Sequence, residues 1–414
     1  MPLEQGELLM NNNIEIKLYR SFEELASLQP RWDDLAASVG SEIFLTYDWC
    51  RIWWKYYGKN RDLRVWVFQK GADLVGIIPL FLEKIWLGPV SVRAAKLVGS
   101  DHTMAQYSLP IVREHIAEVI EGLSESLLKE KWDVIHIGPI AGLYGHYETL
   151  KEAVIAAFGA SCGVSCREKQ VQTYFFVADT WDAHLESLSK NARRSIKRKY
   201  KALQDVMQSR PGELTSDFAA IQNVDDVFLG FVHMHQKHWE KRGKLGHFGD
   251  WPDSFNFHKE MVRAQLPYDR LRLMRIHWGE CCLAYEYAYK FGDRYLAFLN
   301  SRTDLEEVAE LGVGTIIFAE QIKKAISENI RHIDDMRAEY DYKLRLGGKL
   351  FPMRDVYIYR KQPLGLARVY VFRLLSKLLH LCYYRIWYIR IAQRLPLRRH
   401  ALWRIWIRSN ALSQ

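Results

Sequence analysis

The sequence has 414 residues, 49% of them hydrophobic, which is enough apolar material for two domains of ordinary size. Its six cysteines lack a paired Cys-x-x-Cys spacing, which argues against a disulfide scaffold or a zinc site and favours a reducing cytoplasm. The net charge of +9 is uneven, because residues 362–414 hold ten Lys/Arg and no acid, leaving 48 basic and 49 acidic residues elsewhere. No apolar run of about 18 residues is free of charge, so we expect neither a spanning helix nor a secretory signal.

Residues 1–140 are predicted to form a first, mixed α/β domain. A helix is expected from Ser21 to the region of Ala36, and an aromatic segment at 44–49 precedes a hairpin of strands 63–69 and 74–82. A helix over residues 116–129 and a strand over 132–137 follow. Residues 141–171 combine glycines, polar residues and a short helix, and are predicted to connect this domain to the next.

Residues 172–361 are predicted to form the second domain, which begins with a strand at 174–177 and a long helix from Asp182 to about Met207. Cations recur at helical spacing along one face of this helix. They are Lys190, Arg194, Lys197 and Lys201, with Arg193, Arg198 and Lys199 beside them. Either the face is simply solvated, or it attracts a phosphate-bearing ligand. No base-reading motif accompanies it, so duplex recognition is not expected.

Residues 233–243 predict a helix that carries His235 and Trp239 on one face. The imidazole of His235 is a candidate to accept a proton from a substrate. The alternative is a histidine that packs the helix against the sheet. No metal site is predicted, because His233 and His235 would lie on different sides of the helix and no carboxylate stands at a matching position.

A glycine turn, Gly312-x-Gly314, follows three strand-like runs at 271–277, 281–290 and 294–301 that predict an antiparallel meander. An amphipathic helix is predicted from Gly314 to residue 329, and a strand at 332–336 comes after it. Two glycines before a helix leave N–H groups free to hold an anionic pyrophosphate, although a simple tight turn has the same sequence. Gly312, Gly314 and Thr315 are therefore candidate cofactor-binding residues.

The order of meander, glycine turn, helix and strand resembles the core of the GNAT acyltransferases. In detail it resembles the bacterial branch associated with cellulose and other exopolysaccharide synthesis, whose core ends in Asp-x-x-Arg-Gly-x-x-x-Tyr-Lys. Asp334, Arg337, Tyr342 and Lys343 stand at those positions, and Ala338 replaces the usual glycine. The spacing of His235, Trp239 and Arg242-Gly243 also resembles this branch. The family turn, Arg/Gln-x-x-Gly-x-Gly/Ala, is kept except that Ala309 replaces its leading polar residue.

The two halves of the chain show a faint internal repeat. The repeat pairs strands 63–67 and 74–77 with strands 271–275 and 282–285, and it pairs the helix and strand at 116–137 with those at 314–336. This arrangement resembles the tandem GNAT-like halves of Fem-type aminoacyltransferases. The expected fold is therefore α/β with a mixed α+β sheet: two tandem GNAT-like domains, the first degenerate, and a basic helical tail at 362–414. The first half lacks the Gly-x-Gly turn, so only the second is expected to bind a cofactor.

The resemblance implies acyl transfer from acetyl-CoA or another acyl-CoA, without a metal. His235, Asp334 and Tyr342 are the candidate catalytic residues, with Tyr342 protonating the departing thiolate. Lys343 joins the glycine turn as a candidate for the cofactor, either touching phosphate or ordering the loop. Candidates for binding the acceptor are Asp101, Trp239 and Arg337. An ion pair of Asp334 or Asp335 with Arg337 that only closes the strand is the structural alternative.

Three functions remain open at this stage. The first is acylation of an amine or hydroxyl of a sugar, amino sugar or lipid-linked envelope or exopolysaccharide precursor. The second is Fem-type aminoacyl transfer from tRNA, and the third is a non-catalytic, membrane-associated scaffold. No nucleophile motif such as Gly-x-Ser-x-Gly is present, which suits a reaction driven by proximity.

The tail combines arginines with Trp and Tyr and interleaved apolar residues, and its cations spread over more than half of a helical wheel. This pattern suits helices that lie on the anionic cytoplasmic leaflet, where arginines reach the headgroups. The enzyme is accordingly expected in the cytoplasm and on the inner face of the membrane. The alternatives are a helical pair packed on the catalytic domains or on a partner, and an arm that binds nucleic acid.

Overall fold

The computed structural model describes residues 8–11, 14–244, 246–337, 339–395 and 402–413. Ala338, Arg398, Arg399 and the first seven residues, which entered the predictions above, lie outside this range. The strands are β1 Leu8–Asn11, β2 Ile14–Tyr19, β3 Asp62–Lys70, β4 Asp73–Leu87, β5 Val90–Leu97, β6 Val134–Ile140, β7 Cys162–Phe176, β8 Leu214–Phe218, β9 Leu271–Trp278, β10 Cys281–Phe291, β11 Arg294–Arg302, β12 His332–Arg337 and β13 Lys349–Arg360.

The helices alternate with these strands and are mostly short. They are α1 Gln29–Ser38, α2 Tyr47–Tyr57, α3 Ile116–Lys129, α4 Tyr147–Phe158, α5 Trp181–Ser187, α6 Lys190–Met207, α7 Val224–Glu240, α8 Gly246–Asp250, α9 Ser254–Gln265, α10 Glu306–Ala309, α11 Val313–Ser327, α12 Asp341–Arg345, α13 Pro363–Leu379 and α14 Trp403–Ser413. A π-helical segment, His380–Ile391, follows α13. In the part of the chain that the structure describes, no helix is long and apolar enough to cross a membrane.

The chain divides into two units. Unit 1 comprises Met1–Lys169 and Pro352–Gln414, and unit 2 comprises Gln170–Phe351. The predicted boundaries differ from these in two places. Residues 141–169, predicted to lie in a connecting segment, belong to unit 1. At the C-terminal side, residues 352–361 were assigned to the second domain and the tail stood alone. The physical reason is that β13 pairs antiparallel with β6 and so completes the sheet of unit 1.

Unit 1 is a mixed sheet in the order β1-β2-β3-β4-β5-β6-β13. Neighbouring strands are antiparallel except β5 and β6, which run parallel and are joined through α3. The helix forms there because Val119, Ile120, Leu123 and Leu127 recur at helical spacing, and all four are buried. A parallel pair requires such a crossover, because its strands cannot be joined by a tight turn.

Unit 2 repeats this plan in the order β7-β12-β11-β10-β9-β8. The strands β9, β10 and β11 form the predicted antiparallel meander, and β11 runs parallel to β12 through the crossover helix α11. Apolar residues of α11, such as Ile316 and Ile322, pack against the sheet together with residues of α6. The predicted mixed α/β fold with two GNAT-like halves is confirmed, since both units combine a meander, a crossover helix and a parallel strand.

The aromatic segment at 44–49, for which no helix or strand was predicted, runs into the first turn of α2, whose Trp49 and Trp53 are buried in unit 1. One local prediction differs from the structure. The long helix predicted from Asp182 to Met207 is two helices, α5 and α6, that break at Leu188. Ser189 then caps α6, because its hydroxyl accepts a hydrogen bond from the Ala192 N–H at 3.2 Å.

The helices of the tail pack on the sheet of unit 1. Val369 and Phe372 of α13 and Leu412 of α14 join a buried cluster with Ile85 and Val92. The packed helical pair, which the sequence left open as the alternative, therefore describes one face of the tail. The other face is exposed and apolar.

Candidate functional site

The site lies in unit 2, where β11 and β12 part. These parallel strands are paired only from Arg294 and His332 to Leu296 and Asp334, although β11 continues to Arg302. The end of β11, the start of α11 and part of α12 surround a cavity of about 390 Å³. Its lining residues are Lys199, His238, Asn300, Ser301, Arg302, Gly312, Gly314, Thr315 and Tyr342.

The glycine turn forms one wall of this cavity. Gly312 adopts a left-handed conformation with φ of +74°, and a Cβ there would lie 2.7 Å from Cε of Lys199. Gly314 is the second residue of α11, and no heavy atom lies within 4 Å of the place where its Cβ would stand. No side chain caps the N-terminus of α11. The helix end is therefore open toward the cavity and has the features of an anion-binding site.

Lys199 places a positive charge over the glycine turn. Its Nζ donates a hydrogen bond to Oγ1 of Thr315, and burial, followed by the charges of Arg198 and Arg345, lowers the pKa of its ammonium. A second hollow, of about 520 Å³, shares Lys199, Thr315 and Tyr342 with the first and adds Arg198 and Arg345. Among the described residues none of the three cations forms an ion pair with an acid. The sequence indicated a basic helix face but could not single out Lys199, whose partial burial selects it.

Tyr342 lines both hollows, and its ring stacks on Tyr340 with the centroids 5.8 Å apart. Burial, followed by the charges of Asp335 and Glu286, raises the pKa of its hydroxyl. A hydroxyl that stays protonated is able to donate a proton to a leaving group, which is the role predicted for this residue. Tyr342 and the glycine turn are thus brought together as the sequence predicted.

Lys343 follows Tyr342 in the sequence, but its ammonium group is directed into the protein interior. It is buried, and its Nζ donates to the backbone oxygen of Asp335 at 2.5 Å and lies 3.3 Å from the carboxylate of Asp335. Burial raises the pKa of Asp335 to about 6 despite this ion pair. Of the two roles predicted for Lys343, these contacts favour the ordering of the loop over contact with phosphate.

Asp334 lies within β12 and Arg337 ends it, and neither residue lines the cavity. The buried carboxylate of Asp334 accepts hydrogen bonds from Nε2 of Gln172 at 2.7 Å and from the backbone N–H of Met336 at 2.9 Å. The backbone oxygen of Arg337 accepts a hydrogen bond from Lys343 at 3.5 Å. These contacts hold the carboxylate of Asp334 inside the sheet, whereas the structural alternative given for this pair was an ion pair with Arg337.

His235 is buried in α7 and has both ring nitrogens engaged. Nδ1 lies 3.2 Å from the backbone oxygen of Asn300, and the backbone N–H of His247 donates to Nε2 at 3.4 Å. Trp239 packs beside it, with Nζ of Lys244 5.1 Å from the ring centroid. These are the contacts of a histidine that holds a helix against the sheet, because neither nitrogen is left to accept a proton from an acceptor.

His238, one turn along the helix, lines the cavity instead of His235. Burial, followed by the charge of Arg242, lowers its pKa to about 4, so the imidazole is neutral near pH 7. The sequence gave no reason to prefer it over the three histidines around it. His238 lines the cavity because it lies near the end of α7, one turn beyond the buried His235.

Asp101 belongs to unit 1, and its surroundings correct its predicted role. Its carboxylate is buried and is bound by Arg61 at 2.9 and 3.0 Å, by Lys96 at 2.6 Å and by Nδ1 of His102 at 2.8 Å. Despite burial, Arg61 and Lys96 hold its pKa well below the ordinary value. A carboxylate with this many partners inside a core stabilises the loop and is not available to an acceptor amine.

Comparison with known proteins shows which folds this chain is similar to. Residues 190–344 match the family model of the acetyltransferase (GNAT) domain. FemX, a solved structure, shares 11% identity with this chain, covering 82% of it and 98% of FemX with a TM-score of 0.56. The C-terminal domain of a putative lysylphosphatidylglycerol synthetase from Agrobacterium fabrum shares 9% identity, with 86% and 96% covered and a TM-score of 0.48. The sequences of curated proteins gave no match.

The low identities make the likeness to FemX one of fold alone. The domain match covers the glycine turn, Lys199 and Tyr342, and therefore the whole cavity. Unit 2 carries a GNAT acyltransferase domain, and the protein is an acyltransferase of that type. GNAT domains use acyl-CoA, and the open end of α11 fits the pyrophosphate of such a donor.

Proposed function

We propose that this protein transfers an acyl group, acetyl in the first instance, from acyl-CoA to an amine or hydroxyl of a sugar, amino sugar or lipid-linked precursor of the envelope or an exopolysaccharide. One combination supports the donor: the glycine turn, the uncapped helix end and Lys199 line one cavity, and Arg198 and Arg345 line the hollow that shares Lys199 with it. None of these three cations pairs with an acid among the described residues. The likeness of residues 334–343 to the exopolysaccharide-associated branch supports the class of acceptor.

In this proposal the pyrophosphate of the donor lies at the N-terminus of α11. The oxygen atoms of the phosphates accept hydrogen bonds from backbone N–H groups there and from Lys199, which exchanges Thr315 for the ligand. The thioester then lies near Tyr342, whose hydroxyl donates a proton to the departing thiolate. Most of the acceleration comes from holding donor and acceptor in contact, because the transfer needs no covalent enzyme intermediate.

A calorimetric titration with acetyl-CoA tests the donor, with S-acetylpantetheine as the matched control because it has the same thioester and no phosphate. We expect acetyl-CoA to bind at least tenfold more tightly, a difference of at least about 1.4 kcal/mol. Equal affinity for the two compounds, or no binding of acetyl-CoA by the folded protein, would contradict the proposed site.

Fem-type aminoacyl transfer from tRNA is the second candidate. It is favoured by the fold likeness to FemX and by the exposed cations of α6, among them Arg194 and Lys197. Retention of an aminoacyl-tRNA on a filter, with uncharged tRNA as control, tests it. Retention of the charged form together with no binding of acetyl-CoA would replace the first proposal by this one, and failure of both donors would favour a non-catalytic scaffold.

We further propose that the tail attaches the protein to the inner face of the membrane. Leu364, Tyr370 and Leu374 of α13 are 87%, 72% and 60% exposed, and Leu378 and Leu381 continue the same apolar surface. Lys377 and other cations border it, and no acid occurs in residues 362–414. An exposed apolar face with a basic border suits an anionic lipid surface, which would bring the enzyme to a lipid-linked acceptor.

Flotation of the whole protein with phosphatidylglycerol vesicles tests the attachment. We expect the wild-type protein to float at low salt and the triple variant Leu364→Ser, Tyr370→Ser, Leu374→Ser to stay at the bottom. Ile221→Ser is the matched control, because Ile221 is 71% exposed on unit 2. A wild-type protein that stays at the bottom, or a triple variant that floats equally well, would exclude the tail as the anchor.

A further inference from the structure

The second hollow of unit 2 lies beside the cavity at the glycine turn and has a volume of about 520 Å³. Residues of α6 form one of its walls at the helical spacing i, i+1, i+4, i+7 and i+8. They are Asn191, Ala192, Ser195, Arg198 and Lys199. Arg345, the last residue of α12, also lines the hollow. Lys199, Thr315 and Tyr342 line both the hollow and the cavity, so the two spaces adjoin.

The described residues that line the hollow and the cavity include cations and no acid. Burial, followed by the charges of Arg198 and Arg345, lowers the pKa of the Lys199 ammonium group, so these cations act on one another. No carboxylate of the described residues pairs with any of the three. Like charges that are held together repel, and an anion that binds among them removes this unfavourable interaction.

The two arginines keep most of their hydrogen-bonding capacity for a ligand. Within the described residues Arg345 uses only Nε, which donates to the backbone oxygen of Asp341 at 3.3 Å, and the guanidinium of Arg198 has no hydrogen-bond partner. Asn191 and Ser195 add an amide and a hydroxyl to the same wall. A guanidinium group fits two phosphate oxygens at once, and two such groups balance the roughly two negative charges of a phosphate monoester near pH 7. The hollow therefore suits a phosphate monoester.

The donor of the proposed reaction carries such a group. Coenzyme A has a pyrophosphate and, on the adjacent ribose, a 3′-phosphate monoester. When the pyrophosphate lies at the N-terminus of α11, next to Thr315 and Lys199, the ribose is within reach of the hollow that these two residues also line. The cavity of about 390 Å³ then has to hold only the pyrophosphate and the pantetheine arm.

We propose that Arg198 and Arg345 bind the 3′-phosphate of the donor in the second hollow, so that the protein selects acyl-CoA over thioesters that lack this group. The proposal rests on the acyl-CoA function above and specifies which donors the site accepts. A thioester on the phosphopantetheine of a carrier protein has one phosphodiester and no 3′-phosphate, so it would leave both guanidinium groups without an anion. A phosphate on the acceptor has the same chemistry, and the experiment therefore distinguishes the two sources.

Calorimetric titrations compare acetyl-CoA with acetyl-3′-dephospho-CoA, because these two donors differ only in this phosphate. The proteins are the wild type, the double variant Arg198→Met, Arg345→Met, and the control Lys197→Met, which removes an exposed cation of α6 that lines neither space. We expect the wild type and the control to bind acetyl-CoA at least tenfold more tightly than the dephospho compound. The double variant should bind both donors with the affinity that the wild type has for the dephospho compound, which also shows that the variant is folded.

Glucosamine and glucosamine 6-phosphate test the other source, because they differ in a phosphate on the acceptor. Both sugars are titrated into the wild type and the double variant. We expect the double substitution to leave the ratio of their affinities unchanged. A tenfold preference for glucosamine 6-phosphate that the double variant loses, together with equal binding of the two donors, would place an acceptor phosphate in the hollow and overturn the assignment to the donor.

The remaining outcomes separate this proposal from the function on which it rests. Tight and equal binding of both donors by the wild type would overturn the 3′-phosphate site and leave the acyl-CoA function in place. A preference for acetyl-CoA that the double variant keeps, or that Lys197→Met also loses, would show that Arg198 and Arg345 do not form the site. No binding of either donor by the folded wild type would contradict the acyl-CoA function itself, and the 3′-phosphate site with it.

Discussion

Gly312 and Gly314 are two residues apart at the start of α11, and the structure predicts opposite effects of alanine on stability at the two positions. Gly312 has φ of +74°, a conformation that costs a residue with a Cβ about 1–2 kcal/mol. The new Cβ would also displace the end of Lys199, which is 2.7 Å away and flexible. Gly312→Ala should therefore lower the free energy of unfolding by about 1–2 kcal/mol.

Gly314 has a helical backbone and open space around it. Alanine is favoured over glycine inside a helix by up to about 1 kcal/mol, so Gly314→Ala should keep or raise the stability. The same methyl group would stand where the phosphates of the donor approach the helix, and binding should weaken. Gly314→Asp adds a negative charge at this place and should weaken the binding of acetyl-CoA at least tenfold, about 1.4 kcal/mol.

Thermal unfolding and calorimetric titration of the three variants separate the two effects. In a unit of this size 1 kcal/mol corresponds to about 2–4 °C in melting temperature, so the opposite signs are measurable. If a glycine were needed only for the turn, its replacement by alanine would lower both the free energy of unfolding and the affinity for acetyl-CoA. If Gly314→Ala destabilises as Gly312→Ala does, or if folded Gly314→Asp binds acetyl-CoA like the wild-type protein, the assignment of this helix end to the donor is refuted.

Three further predictions concern charged groups. Lys199→Met should weaken the binding of acetyl-CoA at least tenfold, about 1.4 kcal/mol, in calorimetry, whereas the exposed Lys197→Met should not. The pKa of Asp335 in the folded protein is raised to about 6, so the stability that this group contributes is present below about pH 4 and is lost as the pH rises through 6. Asp335→Asn should therefore lose less unfolding free energy than the wild-type protein between pH 4 and 6, as measured by urea unfolding. Arg408→Met removes the 2.6 Å contact with Glu83 that fixes α14 on unit 1, and should cost about 1–3 kcal/mol of unfolding free energy.

The meander, α11 and β12 were predictable because their signals are local. Apolar periodicity and glycine turns mark β9, β10, β11 and the helix after Gly312, and each element pairs with a neighbour in sequence. The pairing of β13 with β6 was not predictable, because these strands are more than 200 residues apart and either could have completed another sheet. The domain boundary depended on that pairing, which explains why the predicted and observed limits differ.

The residues of the candidate site were also predictable only in part. The glycine turn and Tyr342 were found from spacing, and the structure places both at the cavity. Asp101 and His235 were chosen for their chemistry, but burial and existing partners occupy both, and a sequence does not reveal such partners.

The segment that joins the meander to the crossover helix differs between the two units. In unit 1 the chain between β5 and α3 is held by Asp101, whose charge is neutralised by Arg61 and Lys96, and the space is filled by this buried network. In unit 2 the corresponding chain between β11 and α11 is the glycine turn, and the cations around it have no acidic partner among the described residues. Internal pairing makes the first position structural, because a ligand would have to break several buried ion pairs to bind there. The cations of the second position have no acidic partner to displace, so an anionic ligand binds there without breaking an ion pair, and the donor is expected at unit 2 alone.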